Sequence, residues 1–192
     1  SERGLQIEAP ISLPLMLAWA FHPGQWTVFF SDSSKSVEVG GPGANVLLLM
    51  AGLLTLLALI VIAVYSLRAW RLQYVVTTLT ITAISITSIG LIILSNKVFS
   101  PQYLLWLTPS AVMALALANT ADDGEGTELR SGLQRCVTLL LVVALLTQLI
   151  YPRAYDWLLQ LSPMSPLGVT MLAVRDIGLA YVIYCFGRYA RA

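Results

Sequence analysis

Apolar and polar positions along this chain fall into long blocks. Asn45–Leu67 and Tyr74–Leu94 carry no charged residue, and a run of about 20 apolar residues matches the hydrocarbon thickness of a bilayer. Pro101–Ala118, Leu133–Tyr151 and Leu167–Phe186 complete a set of predicted spans, joined by connectors 68–73, 95–100, 119–132 and 152–166. Upstream, Ala9–Phe21 is apolar but short and carries Pro10 and Pro14. As a helix it reaches only about 20 Å at about 1.5 Å per residue. It is either a re-entrant or interfacial helix, or the end of a tilted span that begins near Leu5. In residues 22–44, the β-prone stretches Trp26–Phe30 and Ser36–Val39 flank a Ser-Asp-Ser-Ser turn and predict a small surface hairpin. Gly40, Gly41, Pro42 and Gly43 close it. The expected fold is an all-α polytopic membrane protein of about five transmembrane helices. A short N-terminal re-entrant or partial span and a small outer-face β-hairpin complete a single membrane domain over residues 1–192.

The span Tyr74–Leu94 has a second pattern. At 100° per residue, Val75, Val76, Leu79, Ala83, Ile86, Gly90 and Ile93 share one arc, and Thr77, Thr78, Thr82, Ser85 and Ser88 the opposite one. The expectation is that the apolar arc faces lipid and the hydroxyl arc faces protein or a polar cavity.

Composition agrees with the block pattern. The chain is 57% hydrophobic and only 11% charged, against roughly a quarter charged in a soluble domain. Net charge is +1 and there is no basic block, so nucleic acid is not an expected partner. Cys136 and Cys185 lie in or beside apolar runs and read as small hydrophobes. With a single His in the chain, no metal site is expected, and no cofactor either. No charged segment precedes an apolar core at the start, so no signal peptide is read there, and the chain reads as the C-terminal portion of a longer protein. Arg68, Arg71, Arg130, Arg135, Arg188 and Arg191 fall on one side if the spans cross in turn, against Lys35, Lys97 and Arg153 on the other. Basic loops face the cytoplasm, so Lys97 is expected outside, with Tyr103, Trp106, Tyr151, Tyr155 and Trp157 as interfacial aromatics. The acidic connector 119–132 reads as a solvated cytoplasmic loop.

The stretch "SNKVFSPQYLLW", Ser95 to Trp106, asks for more than a connector role. Ser100 before Pro101 is a helix-start signal, and Phe99 with Leu104 sits where a hydrophobic staple would. Pro109 should loosen the helix near Leu105. The first N–H groups, Lys97, Asn96 and Gln102 would together favour an anion, and a phosphate fits. Alternatively, Lys97 only snorkels to the interface and the Ser-Pro pair only starts a helix.

"NKVFSPQYLLWLTP" resembles the signature of the polytopic glycosyltransferases of family 87, and "ERGLQIEA", Glu2–Ala9, resembles a second segment of that family. Ala9 stands where that segment commonly has serine, so the position is given no role. "WTVFF…SVEVGGPGA" and the segment around Arg175 fit more weakly. The resemblance covers most of the chain. It implies a membrane-embedded GT-C fold that transfers a sugar, mannose or a similar one, from a polyprenyl-phosphate donor to a glycan or glycolipid acceptor at the outer face of what would be a bacterial plasma membrane. Such chemistry needs a base at the acceptor hydroxyl and positive groups at the leaving phosphate. The resemblance implies an acidic base upstream of Ser1, so no catalytic residue is assigned here.

Arg3, Gln6 and Glu8 form a further polar set. Arg3 joins Lys97 on one side if Ala9–Phe21 is re-entrant, and falls opposite if it crosses; an interfacial Arg–Glu anchor is the plainer reading. Arg175 and Asp176 sit inside the last span, where each charge costs about 2.5–3.5 kcal/mol on insertion scales. Adjacent residues point about 100° apart, so they need not pair with each other. Arg175 either grips a lipid phosphate or pairs internally with another helix. Glu38 reads as a solvated loop charge, with an acceptor-side contact as the alternative. The candidate substrate-binding residues are therefore Lys97, Gln102, Asn96, Ser100, Tyr103, Arg3, Gln6, Glu8 and Arg175. A hydroxyl-rich span and an intramembrane Arg-Asp are also features of a transporter or flippase fragment, the competing reading.

Overall fold

The computed structural model describes residues 4–22, 24–71, 77–119 and 125–190. It begins with β1 (Leu5–Gln6), a 3-10 turn at Pro10–Ser12 and helix α1 (Leu13–Phe21). Strands β2 (Thr27–Ser31) and β3 (Ser36–Gly40) follow, then α2 (Ala44–Arg71) and α3 (Thr78–Ser95). A 3-10 segment, Pro101–Trp106, leads into α4 (Thr108–Asn119). The chain closes with α5 (Glu125–Gln148), a kinked turn at Leu149–Arg153, the short α6 (Asp156–Leu159) and α7 (Ser165–Tyr189).

Among the described residues, four helical segments are long and apolar enough to cross a membrane: Ala44–Arg71, Thr78–Ser95, Arg130–Arg153 and Ser165–Tyr189. The chain is an all-α integral membrane protein with a small sheet at one end. The remaining predicted span, Pro101–Ala118, is divided. Its 3-10 part and the 12-residue α4 together reach about 30 Å at about 2.0 and 1.5 Å per residue. The break falls at Leu107, just before Pro109, which removes a backbone donor there. The predicted connector 119–132 is shorter than expected, because residues 125–132 already belong to α5.

The hairpin forms where the β-prone stretches predicted it, with Thr27 opposite Gly40 and Ser31 opposite Ser36. The sequence reading missed β1, which pairs with the other edge of β3 through Leu5–Val39 and Gln6–Glu38. This third strand decides how α1 lies. Both flanks of α1 join one sheet, so the helix leaves that end of the molecule and returns to it. Leu15, Met16 and Trp19 pack on Leu158, Val169 and Leu172 beside the N-terminal half of α7. Ala9–Phe21 is therefore re-entrant or interfacial and does not cross.

The bundle is built around α3, which packs against α2, α4 and α7, while α5 packs against α4 and α7. The apolar arc of α3, expected to face lipid, packs inward instead. Ala83, Ile86, Gly90 and Ile93 are buried in the core, while on the hydroxyl arc Thr77 and Thr78 are exposed, Ser85 and Ser88 half-buried and Thr82 buried. Val75 and Val76, also assigned to the apolar arc, lie outside the described residues. Two physical facts turn the apolar arc inward. A methyl group on Gly90 would overlap the side chain of Ile183, so glycine lets α3 and α7 approach closely. The hydroxyls also need no interhelical partner, since Thr82 donates to the Thr78 carbonyl (2.8 Å) and Ser85 to that of Ile81 (2.9 Å). By contrast α2 buries only a narrow seam, Ala51, Ala58 and Tyr65, and leaves most of its Leu, Ile and Val side chains outward.

Candidate functional site

Two segments distant in sequence are laced together at the sheet end. The Gln6 N–H donates to the Lys97 carbonyl (3.1 Å), and the Phe99 N–H donates to Gln6 Oε1 (3.0 Å), 93 positions away in the chain. Ile7 N–H donates to the Val37 carbonyl (3.2 Å) and ties the same strand to the hairpin. The C-terminus of α3, the start of the 3-10 segment, the hairpin tip and the end of α5 thus meet around a cavity of about 760 Å³.

Of the candidate residues, Gln6, Glu8, Ser100, Gln102 and Tyr103 line this cavity. Lys97 and Asn96 do not. Asn96 ends α3, and its Oδ1 accepts from the Val98 N–H (3.1 Å), which shapes the turn into the motif. Lys97 gives its carbonyl to Gln6. Arg3 lies outside the described residues. Among those described, the cation on the cavity wall is Lys35, at the hairpin tip. Its ammonium lies 3.3 Å from the Asp32 carboxylate, an exposed pair that solvent screens strongly. Nothing in the sequence singled Lys35 out, because a lysine in a polar turn has no distinguishing neighbour. Tyr151 and Tyr155, read as interfacial aromatics, also line the cavity, as does Gln148. Tyr103 stacks on Trp106 with ring centroids 4.6 Å apart.

The expected start of a helix at Pro101 is present, with Ser100 in extended backbone before it (φ −132°, ψ 139°). Ser100 makes no capping hydrogen bond, however, and the segment is a 3-10 helix of 6 residues. Phe99 and Leu104 are both buried in one apolar cluster, as a staple requires. The anion-attracting dipole expected of a long helix here is correspondingly weak, and positive potential at the cavity comes instead from Lys35.

Arg175 lies behind this wall. It is fully buried and pairs with its own neighbour, which the sequence had left open: Nε and Nη2 both donate to Asp176 Oδ1, at 2.9 and 2.7 Å. Nη2 also donates to the Glu8 carbonyl. The guanidinium carbon sits 4.1 Å from the centre of the Phe99 ring, a cation–π contact. Arg175 thus clamps both cavity-lining segments from behind and takes no direct place on the wall, while Nη1 has no partner among the described residues.

Glu8 is 3% exposed. Burial raises its carboxyl from 4.5 to about 7; Arg175 pulls it down and Asp176 pushes it up. Burial, then Glu8 and Tyr151, also hold the Tyr155 phenol above its ordinary value. Glu38 corrects the expectation of a solvated charge. It is buried and accepts from the Gly4 N–H (3.1 Å) and from Ser34 Oγ (2.6 Å), so it ties β1 to the hairpin. The cavity therefore offers one ammonium, several amides and hydroxyls, aromatic faces and a buried carboxyl close to neutrality. That set suits a ligand with a charged phosphate and a hydroxyl-rich portion.

Comparison of the chain with known protein families, with curated proteins and with solved structures found no match.

Proposed function

We propose that this chain is the C-terminal membrane portion of a glycosyltransferase that takes a sugar, mannose or a close relative, from a polyprenyl-phosphate donor and delivers it to a glycan or glycolipid acceptor. One observation carries the reading. The two segments that resemble family 87, around Gln6–Glu8 and Ser100–Tyr103, wall a single cavity with Lys35 on its rim. In this reading Lys35 neutralises the donor phosphate, Gln6 and Gln102 orient it, and the faces of Tyr103, Tyr151 and Tyr155 border the sugar. The cavity end faces outward from a bacterial plasma membrane, because the opposite end holds Arg68, Arg71, Arg130, Arg135 and Arg188. Arg175 and Asp176 bind each other and sit behind Phe99 and Glu8, which favours a structural clamp over the open substrate path that a transporter would need.

The test uses the full-length protein that contains this chain, purified into lipid nanodiscs, with radiolabelled polyprenyl-phosphate mannose and membrane glycolipid acceptors. The expected result is saturable donor binding that weakens roughly tenfold or more in Lys35→Ala, as loss of a charge-assisted hydrogen bond implies, with transfer reduced in step. Lys97→Ala should weaken binding less. Full binding in Lys35→Ala would remove the phosphate role, and substrate uptake into vesicles without transfer would favour the transporter.

A further inference from the structure

The opposite end of the bundle holds a second groove, between α5 and α7. These helices run antiparallel in close register. The Tyr189 hydroxyl fills the space above Gly132, the thiols of Cys136 and Cys185 meet, and a methyl group on Gly178 would touch Val143. Along one side of this seam, Gly132, Cys136, Cys185 and Tyr189 also line a cavity of about 560 Å³. Arg135 and Arg188 stand at its rim, and Leu139 and Tyr181 continue it along the span. Arg188 to Tyr181 covers about 10 Å at about 1.5 Å per residue. Both arginines are exposed, and neither has an ionic partner among the described residues. A shallower groove of about 400 Å³ lies along the adjoining face of α5 and shares Arg135 and Leu139 with the first.

We infer that this end binds a two-chain anionic phospholipid, with its phosphate held between Arg135 and Arg188 and its acyl chains laid along the two grooves. Guanidinium groups grip phosphate oxygens in a fork, and basic pockets between transmembrane helices suit anionic headgroups. The apolar wall that Leu139 and Tyr181 add below the rim argues for a lipid over a free anion, which would use only the rim. The site stands apart from the sheet-end cavity and does not depend on what that cavity takes.

Native mass spectrometry of the full chain, released from detergent with equal amounts of phosphatidylglycerol and phosphatidylcholine, tests this. Retention of phosphatidylglycerol is expected to exceed that of phosphatidylcholine about tenfold. Arg135→Gln with Arg188→Gln should bring the two lipids level, while Arg68→Gln with Arg71→Gln, which removes the same charge elsewhere at that end, should not. Leu139→Trp, which fills both grooves and leaves the charges alone, should also lower retention. Equal retention of both lipids, equal loss in the two arginine pairs, unchanged retention in Leu139→Trp, or displacement of the lipid by inorganic phosphate at matched concentration would each overturn the inference.

Discussion

Glu8 shows how burial and a neighbouring charge set a residue's behaviour at the cavity. Its folded-state value of about 7 lies above the ordinary 4.5, so the folded chain holds a proton that the unfolded chain releases. The stability linked to that proton is complete below about pH 4.5 and is lost as pH rises through about 7. The shift corresponds to about 3 kcal/mol. Thermal unfolding in detergent should therefore give a higher midpoint at pH 5 than at pH 8 through this group, and Glu8→Gln should flatten that dependence. An identical slope in the variant would contradict the assignment. Glu38 acts differently, because it accepts hydrogen bonds from Gly4 and Ser34. Glu38→Ala leaves those donors without their acceptor and should cost about 1–3 kcal/mol, visible as faster amide exchange at Leu5–Gln6 than elsewhere in the sheet.

At the scale of elements, the α3–α7 contact makes a sharper prediction. A side chain on Gly90 meets Ile183, so Gly90→Val should destabilise the bundle by about 1–3 kcal/mol, and Ile183→Ala in the same chain should recover part of it. Additive losses, measured by unfolding midpoints, would mean that the two helices do not touch there. This contact also explains what the sequence could not convey. Length and hydropathy placed α2, α3, α5 and α7, and the Ser100–Pro101 pair placed a helix start. Hydropathy cannot say which arc of an apolar helix meets protein, because lipid and protein interior are equally apolar. On α3 the informative signs were the small residues Ala83 and Gly90, while the hydroxyls of Thr82 and Ser85 satisfied themselves on the preceding turn. Strand β1 was hidden for another reason: its 2 residues pair only across a long separation, which no local pattern reports.

Across the whole molecule, the sheet, the cavity and the ends of α3 and α5 gather at one end, and Arg135 and Arg188 mark the other. In a chain whose two native cysteines are replaced by alanine, Ser33→Cys and Arg188→Cys should react with an impermeant thiol reagent from opposite sides of sealed vesicles. Labelling of both from one side would contradict this arrangement. The site was legible only in part. Residues of the motif at Ser95–Trp106 and of the segment Gln6–Glu8 line one cavity, but the cation on its wall is Lys35, and Arg175 is a clamp behind it. Which side chain faces a cavity depends on hairpin and turn geometry, and periodicity does not carry that. The central claim is that two distant segments and a hairpin lysine form one seat for a lipid-linked phosphate. A polyprenyl-phosphate probe bearing a photoreactive group near its head, cross-linked and mapped by peptide sequencing, tests it most directly. The account predicts adducts within Gln6–Ala9, Lys35–Val37 and Ser100–Tyr103 that disappear when unlabelled donor is added. Adducts confined to the outward face of α2, or unaffected by competing donor, would contradict it.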